Sequence, residues 1–305
     1  MASWEPVHGV FTASPSWLPA MDFWDKFDWF PFIMTAAAAF ITALVGAKVG
    51  ASAAQKIAKK AKRIDELTAE IRAVNTGITI GMAILNAALS SKSQYIKPVK
   101  VRYEAEREKF QAAVKAGTGE AVLVIDRLKF LHVSMPTGDL QQLVMHKISS
   151  SGLALRAALA LMDSDTRLGE AINHRNNLLD RFSKEDLPPG FSLADLYFGT
   201  AVAGGHNKEY RSTLDAVCSY NDEVIFFSLK LCKDLEAHGQ VLVKEIKQLS
   251  DEPVGIITVN EEAAYRTGLV PSTKEFESWL GGYKEVHAPR PPRKWWHWRR
   301  KKGHS

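Results

Sequence analysis

The strongest constraint on this chain is a twenty-residue apolar run, Phe30 to Val49 (FPFIMTAAAAFITALVGAKV), that ends in a block of bases. A helix rising 1.5 Å per residue needs about 20 apolar residues to cross the ~30 Å hydrocarbon core of a bilayer. The run meets that length, and Lys48 at its end can snorkel to the interface. Residues 48–63 hold Lys48, Lys56, Lys59, Lys60, Lys62 and Arg63 and no acid, a charge of +6, whereas residues 1–47 carry −3. Bases gather on the cytoplasmic side of a span, so the expected orientation is N-terminus outside and the bulk of the chain in the cytoplasm, at an inner or plasma membrane. Trp24, Phe27 and Trp29 precede the run where an aromatic belt would sit. The acidic stretch before it does not resemble the basic start of a cleaved signal peptide, so the segment reads as a retained anchor. A buried, alanine-rich core helix is the competing reading.

The remaining charge locates the other basic block. Residues 289–305 hold seven bases and no acid, which leaves −5 for residues 64–288 of a chain whose net charge is +5. The main body is therefore mildly acidic, and its charge does not point to nucleic acid. The C-terminal block, PRPPRKWWHWRRKKGHS, follows Trp295, Trp296 and Trp298 with Arg299, Arg300, Lys301 and Lys302. Aromatics favour the headgroup region and bases favour anionic lipid, so a lipid surface is the expected partner of this tail. Stacking on single-stranded nucleic acid is the rival reading.

Small residues recur along the apolar run at Ala36, Ala39, Ala43, Gly46, Gly50 and Ala53, in steps of three and four. Such a face lets helix backbones approach closely within lipid. It predicts a homo-oligomer that associates through this stripe. Beyond the bases, Ile57, Ala61, Ile64, Leu67, Ile71, Val74, Ile78 and Leu85 keep helical spacing, predicting a helix from Phe32 to Ser90, interrupted at most near Thr76-Gly77. Residues 77–90 are apolar but too short to span, so they are expected in the core. Lys97-Pro98 is expected to end the stretch. A helix from Val99 to Ala116 should then stop at Gly117.

Residues 121–133 (AVLVIDRLKFLHV) are the best strand candidate, with a helix as the alternative, and Gly255–Val259 and Tyr283–His287 are the candidate partner strands. A helix of about 45 residues is expected after Pro136. Its stripe is Leu140, Val144, Ile148, Ser151, Leu155, Leu159, Met162, Leu168, Ile172, Asn176, Leu179 and Phe182. A loop at 184–206 carries a short helix, Leu193 to Val202. Asn207 to Leu249 forms the next long helix, with the stripe Tyr210, Leu214, Val217, Asn221, Val224, Ser228, Leu231, Leu235, His238, Leu242, Ile246 and Leu249. Asn176 and Asn221 fall on the stripes and are expected to fix register.

The expected fold is thus mainly α: one N-terminal transmembrane helix running into a long antiparallel helical bundle or coiled coil, with a small β element. The segments are an extracytoplasmic Trp/Pro-rich arm (1–29), the span (30–50), coiled-coil-like helices (51–117), the candidate strand (118–135), a long-helix hairpin (136–250), a mixed segment (251–288) and the basic tail (289–305). An N-terminal anchor before a long-helix bundle is similar in plan to many bacterial membrane proteins, a likeness of architecture that implies no activity.

Chemistry leaves few marks. Cys218 and Cys232 lie 14 residues apart on one expected helix, about 21 Å along its axis, too far to bridge. Glu170/His174 and Asp234/His238 are acid-xxx-His pairs, read as i, i+4 ion pairs rather than a metal site. Asp163, Asp165, Ser164, Asp222 and Glu223 add polar groups without a nucleophile. No GxxxxGK[ST], GxGxxG, GxSxG or HExxH occurs. No catalytic residue, metal or cofactor is expected. The function expected is a non-enzymatic, membrane-anchored helical scaffold or sensor that self-associates and binds a protein partner. The alternatives are a membrane effector whose residues 30–50 and 77–90 form a pore, and an enzyme with a site in the 184–206 loop or the strand region.

Overall fold

The structure, a computed structural model, describes residues 29–117, 135–149, 152–202 and 205–282. The chain divides into two compact units, residues 1–63 and 64–305. The arm before residue 29, the strand candidate at 121–133, its partner at 283–287 and the basic tail lie outside the described residues.

The protein is mainly helical. Helix α1 spans Trp29–Ser91 without interruption at Thr76-Gly77, and a single π turn, Lys92–Ile96, leads into α2, Lys97–Ala116. Lys97-Pro98 does not end the helix as the sequence suggests. Lys97 keeps helical angles, and its N–H reaches back five residues to Lys92 O. The proline ring would clash with a carbonyl four residues earlier, and the wider turn removes that conflict. Gly117 terminates α2 at φ 68°, where a side chain would be strained.

The 45-residue helix expected after Pro136 is two helices, α3 Thr137–Lys147 and α4 Gly152–Ser183. Ile148 between them is extended, at φ −121° and ψ 120°, and turns its side chain inward. The next residue explains the break. Ser149 donates from its backbone N–H and its hydroxyl to Glu70 Oε1, at 2.8 and 2.6 Å, so its backbone is satisfied outside a helix. Ser151 of the expected stripe lies outside the described residues, and the stripe departs from expectation over residues 152–162. Ala154, Ala157, Ala158 and Leu161 face the core, while Leu159 is exposed and Leu155 and Met162 only half-buried. Small side chains let neighbouring helices close up, and this outweighs the greater hydrophobicity of leucine.

Helix α5, Leu193–Phe198, starts on a reciprocal capping box between Ser192 and Asp195 and stops at Gly199, φ 66°, short of the expected Val202. A two-residue antiparallel ribbon, β1 Ala201–Val202 with β2 Gly205–His206, follows. Helix α6 spans Glu209–Ile246. The stripe positions Tyr210, Leu214, Val217, Asn221, Val224, Ser228, Leu231 and Leu235 are all buried, whereas His238 and Leu249 are only half-buried and the helix ends at Ile246, short of the expected Leu249. Residues 255–259, expected as a strand, belong to no helix or strand. The Asn75 side chain takes the place of a neighbouring strand, donating to Gly255 O and accepting from Ile257 N–H, both at 3.0 Å. Short helices α7, Glu261–Arg266, and α8, Glu277–Gly281, close the described chain.

Within residues 64–282 the register can be read from individual contacts. A Cβ placed on Gly77 or Gly81 of α1 would lie 3.0 Å from Leu235 Cδ1 or 2.6 Å from Cys232 Sγ of α6. Farther along, Asn221 Nδ2 donates to Ala88 O at 3.4 Å, and Lys100 of α2 pairs with Asp215. The α1–α2 line therefore runs antiparallel to α6. The α4–α6 pair is also antiparallel, joined by Ser164 to Glu223 at 2.8 Å and His174 to Glu209 at 3.2 Å. Two clusters fill the interior. The larger runs along α1, α3, α4 and α6; the smaller is aromatic, built from Tyr103, Phe182, Tyr197, Phe198 and Tyr210.

Candidate functional site

Among the described side chains of residues 30–57 of α1, no large apolar one is buried. Phe30 is 73% exposed, Phe40 66% and Ile41 61%, and Ile33, Met34, Leu44, Val45, Val49 and Ile57 are similarly open. Among the described residues this is the one helix long and apolar enough to cross a membrane, with mean hydropathy 1.9 over its most apolar 18 residues. Its hydroxyls are turned back onto the helix. Thr35 Oγ1 donates to Pro31 O and Thr42 Oγ1 to Ala38 O, both at 2.7 Å, and Ser52 Oγ donates to Val49 O at 2.9 Å. Such back-bonding leaves no hydroxyl proton needing water, which suits an apolar medium. Ala36, Ala39, Ala43, Gly46, Gly50 and Ala53 are all exposed, and a Cβ on Gly46 or Gly50 would meet nothing within 4 Å.

A groove of about 500 Å³ opens between α4, α6 and residues 275–279. Leu159, Phe227, Phe276 and Trp279 give it apolar walls, and Asp163, Glu223 and Glu275 line it with carboxylates. Phe276 is stacked on Phe226 with centroids 3.9 Å apart, and Trp279 lies 5.0 Å from Phe227, so the C-terminal wall is fixed by aromatic packing. Ser164, buried at its edge, donates to Glu223 Oε2 at 2.8 Å. The arrangement offers a groove with apolar walls and carboxylates that can hold a ligand.

The other polar residues singled out in the sequence do not converge. Asp163 pairs with Arg167 at 2.9 Å, Asp234 with Lys230 at 2.8 Å, and Asp222 with Lys92 of the π turn, whose Nζ also donates to Leu269 O at 2.8 Å. Asp165 accepts from Thr137 Oγ1 at 2.8 Å, and burial raises its pKa. Both histidines of the acid-xxx-His pairs also reach across to other elements. His174 meets Glu209, and His238 Nε2 lies 2.9 Å from Glu70 Oε1, the carboxylate that also holds Ser149. Hydrogen bonds from Ser149 and His238 hold Glu70 below the usual carboxylate range in spite of the opposing effect of burial. His206 Nε2 lies 2.6 Å from Gly199 O. Among the described residues no three His, Cys, Asp or Glu side chains group as metal ligands. Cys218 and Cys232 are free thiols, which burial pushes up to about 11 and about 12.

Asn221 is fully buried and Asn176 nearly so. Asn176 accepts from Arg175 Nη1 at 3.2 Å. Arg175 itself escaped the sequence reading. It is fully buried, yet it stands on the same three-and-four spacing that joins Leu168, Ile172 and Leu179. A base on an inward phase was the available signal. The Glu70–Ser149–His238 contact gave no such signal, because its members are 79 to 168 residues apart. No protein-family model, curated protein or solved structure matches this chain.

Proposed function

We propose that the protein is a membrane-anchored helical scaffold or sensor, without enzymatic activity, that self-associates and presents a helical bundle to a protein partner. One observation carries the reading: about twenty consecutive residues of α1 expose apolar side chains on every face, with their hydroxyls returned to the helix. Water solvates such a surface poorly, whereas lipid satisfies it without a partner. The six bases that follow orient the bundle to the cytoplasm by the positive-inside rule. The exposed small-residue face from Ala36 to Ala53 supports association between copies. In this reading the tail residues Trp295 to Lys302 rest on the inner leaflet, and the groove beside Trp279 is the surface offered to a partner.

The test is membrane fractionation with a carbonate wash, using topology reporters fused at residue 2 and at residue 305. The expected result is a wash-resistant membrane protein with its C-terminal reporter in the cytoplasm. A soluble protein, or one stripped by carbonate, refutes the anchor. Crosslinking in membranes then tests association: wild type should form oligomers that Gly46→Leu abolishes.

A further inference from the structure

The groove beside Trp279 combines two chemistries. Leu159, Phe227, Phe276 and Trp279 make its walls apolar, while Asp163, Glu223 and Glu275 line it against a single base, Arg156. Leu159 stands 44% exposed on its edge. Burial raises the neighbouring Asp222 carboxyl, Lys92 opposes the rise, and the charge of Glu275 adds to it. Negative potential therefore accumulates on this side of α6. An open apolar channel lined by excess carboxylate suits a ligand that is both aromatic and basic.

The chain carries such a segment within reach. Residues 289–305 hold seven bases, three tryptophans and no acid. Trp279 is part of the groove wall, and the described chain ends three residues later at Gly282. Twelve residues, 283–294, separate Gly282 from Trp295. They reach at most about 40 Å, and a tether of that kind supplies an effective concentration on the order of millimolar. The groove, at about 500 Å³, has room for an indole rather than for the whole tail. We propose that this groove is the seat of the chain's own tail: the Trp295–Trp298 segment fills the apolar channel, and the bases on either side of it pair with Asp163, Glu223 and Glu275. Seated there, the tail covers the surface that the proposed scaffold offers to its partner. The inference rests on that reading of the groove and supplies its occupant. Anionic lipid competes for the same bases, at about 1 kcal/mol each, so a charged leaflet draws the tail off and uncovers the groove.

Carbodiimide crosslinking of the full-length protein in phosphatidylcholine nanodiscs tests this, because the reagent joins a lysine only to a carboxylate in contact with it. At about 0.15 M salt, charges more than about 8 Å apart are screened. Lys294, Lys301 or Lys302 should couple to Asp163, Glu223 or Glu275, and within one chain when isotope-labelled and unlabelled copies are reconstituted together. The Lys92–Asp222 ion pair supplies the control crosslink. Replacing Trp295, Trp296 and Trp298 by alanine keeps every charge and should lower the groove crosslinks about tenfold. Leu159→Lys, at the exposed edge of the groove, should do the same. Tail crosslinks that spread equally over the exposed Glu170, Glu185 and Glu252, unchanged by the tryptophan replacements, would overturn the seat. So would a control crosslink formed without any tail crosslink, and so would groove crosslinks that join labelled to unlabelled copies. Nanodiscs containing phosphatidylserine should lower the groove crosslinks about tenfold. If they persist there undiminished, the seat stands and the placement of the tail on the leaflet falls, so the two readings fail separately.

Discussion

Gly81→Ala is the sharpest probe of how α1 meets α6. An alanine in a helix interior is favoured over glycine by about 1 kcal/mol, so at an open position the change would stabilise. At residue 81 the new Cβ would stand 2.6 Å from Cys232 Sγ, where comfortable heavy-atom contacts lie at about 3.5–4.0 Å. The sulfur must retreat by about 1 Å in a fully buried position beside Ile78 O. Overpacking of this kind costs about 1–3 kcal/mol, so the net effect should be a loss of about 1 kcal/mol. Cys232→Ala removes the obstructing atom. In that background Gly81→Ala should become stabilising by about 1 kcal/mol, a coupling of about 2 kcal/mol between the two sites. Thermal unfolding of the full-length protein in detergent, followed by far-UV circular dichroism, reads this as a Tm change of about 2–4 °C per kcal/mol. Gly46→Ala, with nothing within 4 Å of its Cβ, is the uncoupled control. If Gly81→Ala stabilises equally with and without Cys232, the close approach of the two helices is wrong.

Three further outcomes follow from other contacts. Because its folded pKa is depressed below the ordinary value of 4.5, Glu70 contributes stability that is present above pH 4.5 and lost as pH falls through the folded value. Glu70→Gln should cost about 1–3 kcal/mol at pH 7 and flatten the fall in Tm below pH 4.5 in acid titrations. Cys218 and Cys232, held up to about 11 and about 12, should resist a thiol reagent at pH 8 in the folded protein and react once it is denatured. Ile78, Ile84, Leu85 and Ala88 are core residues, so overexpression should not release a dye from host cells; release abolished by Gly46→Leu would favour the pore alternative.

Legibility in the sequence tracked how local the determining physics was. The α6 stripe from Tyr210 to Leu235 was readable because each position is large or polar against charged neighbours, and all are buried. Gly117 likewise announced the end of α2, and it sits at φ 68°. The break at Ile148 was not readable, because the carboxylate that satisfies Ser149 belongs to Glu70, far upstream. The inward turn of Ala154, Ala157 and Ala158 was hidden because hydrophobicity ranks leucine above alanine, whereas helix approach ranks them by size. Pro98 misled for a related reason: its local preference is to stop a helix, and a π turn accommodates it. The groove depends on Phe276 and Trp279 reaching Phe226 and Phe227, a pairing that no spacing in the chain encodes.

The π turn at Lys92–Ile96 acts as a phase shifter. One residue more per turn rotates everything after it by about 100° around the helix axis relative to an unbroken α-helix. Without it, the face that carries Leu67, Val74, Ile78 and Leu85 could meet α6 only if Lys100 and Tyr103 swung away from Asp215 and the aromatic cluster. A single deletion within residues 92–96 would therefore mis-index all of α2, although it removes only one side chain. Two stretches with different apolar phases share one partner helix because the chain miscounts once, at a fixed place.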